Sequence, residues 1–222
     1  MTPPGGVEAT LRGVEIMTVE GAARAGIAWP PGDGRRPPDP AFLLVLTHGS
    51  GGGPGSPDLL AVRDAVLPLG AAVALVTQPY RVKGRRAPGS PDRQDAAWIE
   101  IVGAVRDMAG PDLPLVQGGR SNGARVACRT ARATGARAVL ALAFPLHPPG
   151  HPEKSRAGEL SLAGTDVLVV NGSRDPFGIP DQAARIRVVV LDGETHALSR
   201  KPQVAGATAA AWLAGLQGLA RP

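Results

Sequence analysis

The stretch Leu115-Val116-Gln117-Gly118-Gly119-Arg120-Ser121-Asn122-Gly123-Ala124-Arg125-Val126-Ala127 decides the fold. A short apolar run leads into a serine flanked at the spacing G-x-S-x-G by Gly119 and Gly123, and an alanine-rich helical run follows. Strand, tight turn, helix is the geometry that holds a serine hydroxyl out at the end of a sheet. Both glycines serve it: the turn strains the backbone at the serine, and strand and helix come close enough for a Cβ on either flank to clash. Ser121 is therefore the candidate nucleophile. In a chain with 30 glycines the spacing alone also fits a surface Gly/Ser turn, so the flanking elements and the partners downstream decide between the two.

Upstream, Phe42 to Thr47 is a continuous apolar run of strand length, suited to a central parallel strand covered on both faces. It ends in His48-Gly49-Ser50-Gly51-Gly52-Gly53-Pro54. Glycines let backbone amides approach a carbonyl oxygen with no side chain intervening. Ser50 or Gly51, with Asn122 after the serine, are thus the candidate oxyanion donors. A phosphate-binding loop competes, but the run lacks the Lys-Ser/Thr ending of a P-loop and the spacing of a dinucleotide fingerprint. His48 precedes the serine, the wrong chain order for the general base, and is expected to hydrogen-bond its own loop.

Pro57 to Leu69 has helical spacing with Asp58 near its start and Gly70 as its stop, and Ala72 to Thr77 is the next buried strand. That strand leads to Tyr80 and the basic loop Lys83-Gly84-Arg85-Arg86-Ala87-Pro88 at the carboxyl end of the sheet. The charges fit either a solvated loop or arginine forks for an anionic substrate group. Asp92 to Ala109 reads as an amphipathic helix with Ala96, Ile99, Val102, Val105 and Met108 along one stripe and Trp98 against the sheet or rim. Residues 9 to 30 read as a leading antiparallel hairpin, and Pro30 to Pro40 as an exposed, mobile loop.

Downstream, Ala138 to Phe144 is another apolar strand. The repeated strand and helix order favours a parallel sheet with right-handed crossovers. Pro145 to Gly164 is too short and too rich in proline to build a lid domain. His147 and His151 are four apart, but the prolines between them prevent the helix that would bring both to one face, so no metal site is expected. Asp166 to Asn171 is a strand whose following turn carries Asp175, with Asp181 as the fallback acid. Val188 to Leu191 is the last strand and His196 lies in the loop after it. Gln203 to Leu219 forms a closing helix with Trp212, Leu213 and Leu216 toward the sheet. Ser121, Asp175 and His196 come in the order nucleophile, acid, base, each just after a strand, and a parallel sheet gathers such loops at one edge.

At 222 residues the chain can bury a full core and is read as one domain, 1–222, with 1–8 and 31–40 flexible. Of 24 basic residues only Lys83, Lys154 and Lys201 are lysine, an arginine bias that fits a GC-rich genome. The charges are dispersed, and the one cluster, Lys83, Arg85 and Arg86, lacks interleaved aromatics, so nucleic acid is not an expected partner. Cys128 is the only cysteine, which rules out an intrachain disulfide. The first residues lack a signal-peptide pattern and no apolar run approaches the roughly 18 residues of a membrane span, so a cytoplasmic protein is expected.

Through THGSGGGP, KGRRAP, GGRSNGARVA, FPLHPPG, NGSRDPFG and DGETHAL, in this order from about Leu44 to Leu198, the chain resembles the α/β-hydrolase superfamily. Within it, the likeness is to the small lidless group of testis-expressed and nonspecific-lethal-complex hydrolase-like proteins, related in shape to dienelactone hydrolases. The resemblance implies an α/β-hydrolase fold with a mostly parallel central sheet, helices on both faces, an N-terminal antiparallel hairpin and a minimal lid. It gives Ser121, Asp175 and His196 the triad roles and sets KGRRAP and HPPG around the pocket, whose expected lining is Tyr80, Arg85, Arg86, Arg120, His147 and Phe177. Asn122 stands where the group more often carries an apolar residue such as methionine, a change that leaves its backbone donor intact. The expected activity is serine-dependent cleavage of a small to medium ester, thioester or lactone through an acyl-enzyme, with no cofactor and a small acyl substrate as partner. Biosynthetic acyl transfer or cyclisation at the same site, and a catalytically idle binding module, are the alternatives.

Overall fold

In the computed structural model, residues 12–31 and 39–219 are described. The flexible stretches expected at 1–8 and over most of 31–40 lie outside them. Eight strands form one sheet in the order β1-β2-β4-β3-β5-β6-β7-β8. The leading hairpin is β1 (Arg12–Thr18) and β2 (Gly21–Ala28), antiparallel to each other, and β2 is antiparallel to β4 (Ala71–Thr77). From there β3 (Phe42–Thr47), β5 (Leu115–Arg120), β6 (Ala138–Leu142), β7 (Asp166–Gly172) and β8 (Ile186–Leu191) all run parallel. This is the expected mostly parallel sheet with an antiparallel start. The strand order reverses at β3, so the loops after β3 and β5 open beside each other.

Helices cover both faces because the central strands carry apolar side chains toward both sides. Along β3, Leu43 and Val45 face one core while Phe42, Leu44 and Leu46 face the other, and β4 divides in the same way. The first face takes α3 (Pro91–Ala109), α4 (Asn122–Thr134) and α5 (Ala157–Leu162), through Trp98, Ile101, Ala127, Cys128 and Leu160. The second takes α1 (Pro57–Val66) and α6 (Pro202–Ala214), through Leu59, Val62, Ala205, Ala209 and Leu213. A single-turn helix, α2 (Pro79–Val82), opens the basic loop.

Three expectations change. The buried stripe of α3 is Gln94, Ala97, Trp98, Ile101, Val102 and Val105, while Ala96 and Met108 face solvent. Trp98 and Ile101, the largest apolar side chains, set the phase of the helix, and Gln94 is carried inside where it donates to Gln78 Oε1 at 2.7 Å. The closing helix stops at Ala214 because Gly215 follows, leaving Trp212 and Leu216 only partly buried. The strand expected over 138–144 ends at Leu142, since Ala143 takes a φ of 46°. The segment after it carries the six-residue α5 and no lid domain, as expected.

A partly buried ion cluster ties α3, α4 and α5 together. Arg125 grips Glu159 with two bonds of 2.8 and 2.5 Å, and Arg129 reaches both Asp95 at 2.6 Å and Glu159 at 3.2 Å. Burial alone would push the Glu159 carboxyl up, but the hydrogen bonds and charges of Arg125 and Arg129 outweigh it and the net shift is downward. A depressed carboxyl stabilises the fold above its unfolded value, and that contribution fades as pH falls through the folded one. Glu159→Gln is therefore expected to cost about 2 kcal/mol at neutral pH. Denaturant midpoints for the variant and wild type should converge in acid.

Candidate active site

The turn between β5 and α4 has the strained form its glycines anticipated. Ser121 sits at φ 54°, ψ −115°, a conformation costing on the order of 1–3 kcal/mol for a residue with a Cβ. Its N–H donates to Leu142 O at 2.9 Å, and its carbonyl accepts the first amides of α4, from Ala124 at 3.0 Å and Arg125 at 3.2 Å. A Cβ on Gly119 would lie 2.5 Å from Thr47 O, and one on Gly123 would lie 2.6 Å from the same oxygen. Gly49 also comes close, since a Cβ there would stand 3.0 Å from that of Ser121. The turn after β3, with Ser50 and Gly51, therefore lies against the serine, and Asn122 N begins α4 beside it.

Three distant side chains meet here in one hydrogen-bonded line. His196 Nε2 is 2.8 Å from Ser121 Oγ, and His196 Nδ1 is 2.8 and 3.1 Å from the two carboxylate oxygens of Asp175. The carboxylate fixes the proton on Nδ1 and leaves Nε2 with a lone pair toward the serine. Asp175 is itself held, since Phe177 N–H donates to Oδ1 at 2.9 Å. The Phe177 ring stacks on the imidazole with centroids 4.2 Å apart. Asp181 is exposed and has no place in this line.

One residue of this frame escaped the sequence reading. Asn171, fully buried at the end of β7, accepts Phe144 N–H at 2.9 Å and donates to Phe144 O, Gly178 O and Asp175 Oδ2 at 3.2, 3.1 and 3.4 Å. It joins the end of β6 to the aspartate turn. A polar side chain closing the otherwise apolar run Val167 to Val170 was its one signal.

His48 holds its own loop, as anticipated. Its Nε2 accepts Gln78 N–H at 3.1 Å and its Nδ1 donates to Gly49 O at 2.9 Å, and burial keeps its pKa low and the ring neutral. Tyr80 is buried beneath the same turn, its hydroxyl 3.4 Å from Gly49 O and its pKa pushed up by burial to about 12. It braces the turn, and with Pro79, Pro88 and Trp98 it also lines a small cavity.

The other expected lining residues stand at different places around the two turns, with Arg86 O 3.9 Å from where a Cβ on Gly51 would lie. Arg85 and Arg86 are exposed, and Arg81 bonds both Gly52 O and Arg85 O, at 2.9 and 3.0 Å, tying their loop to the glycine turn. His147 lies on the aspartate turn, its N–H donating to Phe177 O at 2.9 Å. Arg120 reaches Asp58 and the carbonyl of His196. His151 is exposed and pairs with Glu153, and among the described residues no group of three potential metal ligands gathers.

Residues 40–214 match the family model of the α/β hydrolase domain, and the chain belongs to that family. Among solved structures it is similar to a serine hydrolase homologue from Coxiella burnetii, with a TM-score of 0.74 at 14% identity over 94% of this chain and 100% of that one. It is also similar to a lidless serine hydrolase from Xanthomonas campestris, with a TM-score of 0.70 at 17% identity over 96% and 97%. A dienelactone hydrolase from Anabaena variabilis aligns with a TM-score of 0.69 at 18% identity over 93% and 98%. Comparison with curated proteins returns no match. At these identities the likeness speaks for the fold.

Truncating Asn171 removes four hydrogen-bonding contacts at once. Asn171→Ala is expected to lower stability by about 2–4 kcal/mol, read by chemical denaturation. The surviving folded fraction should show weakened reactivity at Ser121, because Asp175 loses a support.

Proposed function

We propose that this protein is a serine hydrolase cleaving a small to medium ester, thioester or lactone through an acyl-enzyme. The observation that carries the proposal is the unbroken line from Ser121 Oγ through the His196 imidazole to the Asp175 carboxylate, with the serine in a conformation that only a specialised turn sustains. A serine hydroxyl is a weak nucleophile at neutral pH and needs a base within hydrogen-bond reach. His196 takes its proton as Oγ attacks the carbonyl carbon, and Asp175 stabilises the imidazolium without accepting that proton. The developing oxyanion is received by the N–H of Asn122 and that of Ser50 or Gly51, at the positive end of α4. His196 then hands the proton to the leaving group, and water, activated by the same imidazole, releases the acyl chain.

Arg85 and Arg86 in this proposal flank the opening, and Phe177 holds the base in orientation. Among the described residues no helix is long and apolar enough to cross a membrane. A single cysteine can form no intrachain disulfide, and we propose that the protein works in a reducing compartment such as the cytoplasm. Burial pushes the Cys128 thiol up to about 12, which leaves Ser121 as the nucleophile an electrophilic probe should find.

The test combines a fluorophosphonate label with a panel of short p-nitrophenyl esters. Wild type should label once per chain and turn over the esters. Ser121→Ala should lose both, with kcat down about 10⁴-fold or more, and Asp175→Asn should fall by a similar factor with its fold intact. Undiminished ester cleavage by Ser121→Ala would refute the proposal.

A further inference from the structure

Behind the serine lies a buried charge pair that the hydrolytic steps above do not use. Asp58, in the first turn of α1, has a side chain with no exposed surface, and its Oδ2 is 3.2 Å from Arg120 Nε. Both Asp58 oxygens and Arg120 Nε lack a well-directed hydrogen bond among the described residues, so the pair is held by charge, although the Ser56 hydroxyl and the Leu59 amide stand alongside the carboxylate. Burial pushes this carboxyl up, and the Arg120 charge works against that shift. A buried ion pair is a poor source of stability, because apolar residues of similar volume commonly do as well or better. Asp58 therefore calls for another explanation, and what its partner touches supplies one.

Arg120 immediately precedes Ser121. Its Nη2 donates to the carbonyl of His196 at 2.8 Å, while its Nη1 lies 3.4 Å from where a Cβ on Gly49 would stand. One rigid guanidinium thus abuts the nucleophile's strand, the base's backbone and the turn of the oxyanion donors. The loop of His196 is pinned at its other end by Glu194, which is fully buried, accepts the Lys201 N–H through its carboxylate and receives Arg174 N–H on its carbonyl at 2.9 Å. Arg120 is the side chain that fixes the carbonyl of residue 196 itself.

We propose that Arg120, held inward by the charge of Asp58, is the positioning residue that sets the His196 imidazole at hydrogen-bonding distance from Ser121. The inference rests on the hydrolase reading and adds a device to it. The charge of Asp58 draws the guanidinium inward, the guanidinium holds the His196 carbonyl, and the carbonyl sets where the imidazole stands. Displacements of about 1 Å at such a base cost on the order of 100-fold in rate. Lysine cannot replace the arginine, since its point-charge ammonium cannot hold two partners in fixed directions.

Arg120→Met alone leaves Asp58 buried without its partner and endangers folding, so the informative variant is the double Asp58→Leu/Arg120→Met, which removes both charges at similar volume. Its unfolding midpoint is expected at or above that of wild type, with kcat down about 10- to 100-fold and KM little changed. Arg120→Lys, which keeps a cation beside Asp58, should lose most of the same rate. A second readout does not depend on turnover: the downfield proton resonance of His196 Nδ1–H against Asp175 should broaden or vanish in the double variant. A stable double variant with wild-type kcat and an unaltered resonance would overturn the proposal. The hydrolase reading fails separately, through Ser121→Ala that still turns over, and the resonance then still decides whether Arg120 positions His196.

Discussion

A single carbonyl oxygen, that of Thr47 at the end of β3, sets how the functional end of this protein is built. Gly119 and Gly123 both approach it more closely than a Cβ would permit. Because they can, β5 runs into α4 without a spacer, and the residue between them is forced to a positive φ. The strain at Ser121 is sustained by what surrounds it: the amide bonded to the end of β6, the carbonyl absorbed into the first turn of α4, and Gly49 close against its Cβ. A local conformation that no short peptide would choose is over-determined by three strands.

Around that contact the apolar sheet ends in polar groups that brace one another. Asn171 joins β6 to the aspartate turn, and His48 joins the glycine turn to the residue after β4. Tyr80 supports the same turn from below. Each sits where the chain leaves a buried strand and its backbone groups lose their ladder partners, so a side chain must satisfy them. Such networks also remove alternatives, because a loop whose amides are already bonded has few other places to go.

The strands and the elbow were legible in the sequence because their signals are local: runs such as Phe42 to Leu46 carry no polar residue, and G-x-S-x-G has its own steric logic. The order Ser121, Asp175, His196 was legible because a parallel sheet converts sequence order into a shared edge. What stayed hidden depends on long-range direction. Asp58 looked like a favourable charge at a helix start and is instead drawn inside by Arg120, and Arg120 looked like a lining residue because sequence does not say which way an arginine points. The phase of α3 was misjudged for a related reason, since a glutamine carried inward by Trp98 and Ile101 reads as a solvent-facing residue until its partner Gln78 is known.

The cover over the site is twenty residues of proline-rich chain with a single short helix, and that brevity bears on the proposed catalysis. Enzymes that shut a flap over their substrate expel bulk solvent and deepen every charge interaction inside, but they then wait for the flap to lift. With so little chain to close over the proposed site, the stabilisation of charge falls on dipoles fixed beforehand in the scaffold.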